Sequence, residues 1–100
     1  MSDDSSFGPP PFDADAALQR CKRELRDAGL TERAGLFERK GVAIVRLRVE
    51  AGKLHASRVK RPSRNSPEWL PPAALGNSAQ ARDFVADLKI RLAQWTDRDD

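Results

Sequence analysis

The chain has one cysteine, Cys21, and one histidine, His55. A lone cysteine excludes an internal disulfide, and no CxxC, HExxH or paired-histidine spacing is present, so no metal site is expected. No GxGxxG or GxxxxGKS loop is available to cradle the phosphates of a nucleotide. The acids are scattered or lie towards the ends of the chain, so neither an enzyme activity nor a cofactor is expected. No apolar run approaches the roughly 20 residues that span a bilayer, which argues against a membrane partner. Residues 1–6 are acidic and polar instead of basic and then apolar, so no secretory leader is read and a cytoplasmic location is expected.

What the chain does have is positive charge in one place. Leu36 to Arg64 holds nine Lys or Arg residues against Glu38 and Glu50, a local charge of +7, whereas the whole chain carries only +3. A cationic segment between acidic flanks points to a polyanion or to an acidic protein surface. Arginine outnumbers lysine thirteen to five. Arginine forks suit phosphate and carboxylate, although a GC-rich, bacterial-like composition raises arginine everywhere.

The length fits one small domain with a modest core. Residues 1–12 read as an acidic, proline-rich disordered arm, 13–96 as a single α+β domain, and 97–100 as an acidic frayed tail. Asp13 is a plausible helix cap. Ala14, Ala17, Leu18, Cys21, Leu25 and Ala28 then line one face of a helix, which Gly29 ends. Leu30 to Gly35 reads as a connector.

Three strands follow, joined by two-residue turns at Lys40-Gly41 and Ala51-Gly52, with Pro62 stopping the third. Such turns set the register. Phe37 should oppose Ile44, Ile44 oppose Val59, Arg46 oppose Ser57, Arg48 oppose His55, and Glu50 oppose Lys53, all on one face. The other face should collect Leu36, Ala43, Val45, Leu47, Val49, Leu54 and Ala56 as a core, with Glu38 and Lys60 pairing at its end. Arg58 also lands inward beside Val45, and a bulge near Ser57 is the expected remedy.

Ser66 to Trp69 resembles a single helical turn in the connection that follows, with Trp69 and Leu70 plugging the edge of the core. A second helix starts near Gly76-Asn77-Ser78, with Ala81, Phe84, Val85, Leu88, Leu92 and Trp95 on one face. The predicted fold is a two-layer α+β sandwich, helix–three-stranded antiparallel sheet–helix.

Two resemblances attach to these residues. Lys40 to Leu47 is similar to the octapeptide of RNA-recognition motifs in its basic-Gly start. It carries Val42, Ile44 and Leu47 where that motif has aromatics, so base stacking by the motif is not implied. The αβββα order resembles double-stranded-RNA-binding domains. That family places a basic cluster at the start of its last helix, whereas this chain reads Ser78-Ala79-Gln80-Ala81-Arg82. Fold order alone does not carry function.

The functional expectation is a small non-catalytic module that contacts nucleic acid through the solvent face of the sheet and the basic loop after it. The contact set is Phe37, Arg39, Ile44, Arg46, Arg48, His55, Arg61 and Arg64. Arginines would hold phosphates, while Phe37 and Ile44 would form an apolar platform. The alternative is a protein-binding regulator or inhibitor that docks on an acidic surface, or a homodimer formed through the free edge of the first strand, Leu36 to Arg39.

Overall fold

The structure is a computed structural model that describes residues 12–98, with side chains as far as Trp95. The elements, in chain order, are α1 (Ala14–Asp27), β1 (Thr31–Arg33), β2 (Leu36–Arg39), β3 (Val42–Glu50), β4 (Lys53–Arg58), β5 (Ala73–Leu75) and α2 (Ser78–Arg98). The class is α+β. The sheet has five antiparallel strands in sequential order, not the three expected. Both additions are three residues long and carry no alternating apolar pattern of their own. Pairing with a neighbour makes them strands.

Three turns of one kind build the first four strands. Ala34-Gly35, Lys40-Gly41 and Ala51-Gly52 each hold positive φ at both residues. That backbone matches the right-handed twist of the flanking strands. The first of these turns converts the expected connector into β1. It thereby covers the edge of β2 through which a homodimer was expected to form.

α1 begins at Asp13, whose carboxylate accepts the Ala16 N–H at 3.0 Å. It ends where Leu30 N–H reaches back to the Leu25 carbonyl at 3.0 Å, with Gly29 at φ 98°. Asn77 caps α2 by accepting the Gln80 N–H at 2.8 Å. Ala17, Cys21 and Leu25 of α1 share one core with Ala81, Val85, Leu88 and Leu92 of α2 and with Phe37, Val45, Leu47, Leu54 and Ala56 of the sheet. Both helices therefore cover the same side of the sheet, and among the described residues no helix lies on the opposite side. Phe12 and Trp95 pack against this core, so Phe12 is anchored to the domain. The remaining residues of the expected arm, 1–11, and the last two of the tail lie outside the described residues; α2 continues to Arg98.

The expected register holds between β3 and β4, from Val45–Arg58 to Glu50–Lys53, and no bulge occurs at Ser57. The irregularity lies in β3 opposite β2. Phe37 faces Val45 and Glu38 faces Ala43, which leaves Ile44 as the extra residue. A slip of one residue exchanges faces. Phe37 and Ile44 are fully buried instead of solvent-facing. Leu36 lies opposite exposed Arg46, on the outer face, and Ala43 is outside the core cluster. Glu38 pairs with Arg33 at 3.0 Å, not with Lys60.

Arg58 keeps its inward position. Desolvation there and the Arg91 guanidinium lower its pKa, with Asp87 opposing, and its guanidinium donates to the Val59 carbonyl at 3.0 Å. Residues 66–69 form no helical turn. Lys60 N–H donates to the Glu68 carbonyl at 2.8 Å and Leu70 N–H to the Arg58 carbonyl at 3.0 Å, which bridges Trp69 to Val59 as a short extension of the sheet. Among the described residues no helix is long and apolar enough to cross a membrane.

Candidate nucleic-acid interface

Along β3, buried Val45 and Leu47 alternate with exposed Arg46 and Arg48. Strand geometry then projects both guanidinium groups from the side of the sheet opposite α1 and α2. The β4 partners of this row are Ser57 opposite Arg46, His55 opposite Arg48, and Lys53 opposite Glu50. From the other flank, Arg33 of β1 reaches the same face beside Leu36. Four cationic side chains, Arg33, Arg46, Arg48 and Lys53, thus share one surface with half-buried His55.

Two carboxylates on this face have cationic partners. Arg48 pairs with Glu50, and Arg33 with Glu38 at 3.0 Å. Arg48 and Glu50 are each 58% exposed, so water screens that pair, whereas in the other Arg33 is 76% exposed and Glu38 only 16%. Exposed pairs contribute about 0–1 kcal/mol and break readily when a stronger anion arrives. Arg46 is held differently. Its guanidinium carbon lies 4.8 Å from the centroid of the Trp69 ring.

Of the expected contact residues, the fold brings Arg46, Arg48 and His55 together on this face. Arg61 and Arg64 are exposed in the connection between β4 and β5, and Lys60 is exposed beside them. That connection leaves the sheet at the Val59–Trp69 bridge, next to the Arg46 stack. Three of the expected residues are elsewhere. Phe37 and Ile44 belong to the core, and Arg39 donates to the Leu92 carbonyl of α2 at 3.1 Å, on the helix side.

Three residues of the face lie outside the expected contact set. Arg33 is legible in the sequence, because Ala34-Gly35 has the same form as the turns at Lys40-Gly41 and Ala51-Gly52. Lys53 stands opposite Glu50, as the register predicts. Trp69 arrives only because the chain returns to the sheet after a long irregular connection, and no periodicity announces that return.

Cys21 is buried in α1, and His55 lies on the other side of the sheet. Burial, assisted by the Glu24 carboxylate and opposed by Arg20, pushes the Cys21 thiol above its ordinary pKa. Among the described residues no group of three or more His, Cys, Asp or Glu side chains converges as a metal site would require. No family model, curated protein or solved structure matches the chain.

Proposed function

We propose that this domain is a non-catalytic module that binds nucleic acid through the outer face of its sheet and the basic connection after β4. The observation that carries the reading is the pair Arg46 and Arg48, both exposed on the side of the sheet that neither α1 nor α2 covers. Guanidinium groups on a rigid strand are positioned to hold phosphate oxygens in a fork. Lys53, Lys60, Arg61 and Arg64 extend the positive surface. Binding of this kind is sequence-tolerant and releases counterions.

The test is charge reversal with a salt titration. Arg46→Glu combined with Arg48→Glu should abolish oligonucleotide binding, while far-UV circular dichroism stays that of the parent. Parent-like binding by the double variant would sink the proposal. A face that also carries Glu38 and Glu50 has the mixed signs of a protein-docking surface. A regulator docking on an acidic protein is therefore the second reading. It is favoured if the parent binds no nucleic acid but retains one protein, in stoichiometric amount, after nuclease treatment.

A further inference from the structure

With Phe37 and Ile44 in the core, the outer face lacks the apolar platform on which bases were expected to lie. Phosphate contacts alone do not distinguish single strands from duplexes, because both present the same charged backbone. An aromatic surface does distinguish them. The faces of paired bases are hidden inside a duplex, and only unpaired bases can stack on a side chain.

Trp69 supplies such a surface. Its main chain is tied to Val59 as an extension of the sheet, and its ring is covered on one side by the Arg46 guanidinium at 4.8 Å. The residue remains partly exposed. Arg46 makes no carboxylate pair among the described residues, unlike Arg33 and Arg48. Its guanidinium lies over the Trp69 ring. Guanidinium and indole are both flat π systems, and a base can stack on either. Two restraints on Trp69 mean that little conformational freedom remains to be lost when a ligand arrives. Arg48 lies two residues along β3 from the stack, and Lys60 follows the Val59 bridge immediately. Arg48, on the same face as the stack, can therefore take a phosphate beside a stacked nucleotide.

We propose that Trp69 and Arg46 form a stacking platform for an unpaired base, which makes single-stranded nucleic acid the ligand of this face. This rests on the nucleic-acid reading above and narrows it to one class of ligand. The proposal also assigns different tasks to neighbouring residues. Arg48 and the basic connection hold phosphates, whereas Trp69 discriminates between strand states.

Trp69 and Trp95 are the only tryptophans, and Trp95 packs against the core from α2. Trp69 can therefore be isolated by difference. The probe is an oligothymidylate of 12 nucleotides, with a self-complementary duplex of equal total charge as the comparison. Titration of the parent should quench tryptophan emission. Trp69→Phe, which keeps an aromatic ring, should lose the quenching but bind labelled oligothymidylate within about threefold of the parent. Trp69→Leu should bind it about tenfold more weakly, the size expected for one lost base stack. Duplex binding should be weaker than single-strand binding in the parent and unchanged in Trp69→Leu. Circular dichroism of each variant controls for unfolding, and Trp69→Phe provides the answer if Trp69→Leu does not fold.

If Trp69→Leu binds oligothymidylate as the parent does, or if the parent prefers the duplex, the stacking proposal is overturned, while sensitivity to the Arg46/Arg48 reversal would leave the nucleic-acid reading standing. Quenching that persists in Trp69→Phe would likewise overturn it. If the parent binds neither probe, or if the charge reversal has no effect, the broader reading falls and this one with it.

Discussion

Phe37 faces Val45 across the ladder between β2 and β3, with its ring fully buried, and the next residue, Glu38, faces Ala43. The residue skipped between them, Ile44, is buried as well. One extra residue in β3 thus turns the aromatic side chain of β2 into the core and leaves its neighbour Leu36 on the outer face.

The bulge can be tested by comparing those neighbours. Phe37→Ala should cost about 3–5 kcal/mol, through lost burial and the cavity left behind. Leu36→Ala should cost about 1 kcal/mol, since its half-buried side chain gives up less apolar contact. Urea denaturation of the two variants reads the difference. A regular ladder without the bulge would reverse the order.

Gly35 should tolerate substitution less well than the other turn glycines. It has φ +83°, and an added Cβ would lie 3.1 Å from the Leu47 carbonyl oxygen. Gly41 and Gly52 also have positive φ but open space around the same position. Gly52→Ala should cost about 1–2 kcal/mol from the left-handed backbone alone. Gly35→Ala should cost more, because the contact falls on main chain that cannot swing away. Thermal denaturation of both variants checks the ranking.

Acid should weaken the attachment of β1 to α1. Glu32 receives Lys22 and Arg26, each at 2.9 Å. The hydrogen bonds from those two residues hold its carboxyl below the ordinary value of 4.5. A carboxyl with a depressed folded-state pKa adds stability above its unfolded pKa and loses it as pH falls through the folded one. The parent should therefore lose stability below about pH 4.5, and Glu32→Gln should lose less over that range. At pH 7 the variant should be less stable by no more than about 1 kcal/mol. Denaturation midpoints between pH 3 and pH 7 give the comparison, and identical acid limbs would refute the assignment.

Cys21 should react slowly in the folded state. Its thiol is buried and its pKa is raised, so both access and thiolate fraction are reduced. Alkylation by iodoacetamide at pH 8 should be at least about tenfold slower than in urea, consistent with the usual inertness of buried thiols. Equal rates would mean that α1 does not stay packed.

Binding should fall with salt in proportion to the phosphates held. For single strands the logarithmic slope is about −0.7 per contact. Replacing Arg48 alone by Met should make the slope shallower by about that amount. Replacing Trp69 by Leu should lower the affinity without changing the slope, since a stacking contact releases no counterion. Fluorescence anisotropy from 50 to 300 mM salt separates the two effects.

Much of this fold is determined by local chemistry. Asp13 and Gly29 bound α1, the apolar stripes set the buried faces of both helices, and the two x-Gly turns flanking β3 set the hairpins. The alternation Val45-Arg46-Leu47-Arg48 by itself separates a greasy side from a charged one, because strand side chains alternate whatever lies beyond. Other features depend on partners distant in the chain. β1 and β5 become strands only by pairing with a neighbour. The extra residue Ile44 is accepted because it buries Phe37 under the helices. Arg39 turns to a helix carbonyl instead of to water, and Trp69 reaches Arg46 only when the chain returns after a loop with no repeat to read. Periodicity records which neighbours share a face, but it carries no information about where a ladder slips or where a distant segment comes to rest.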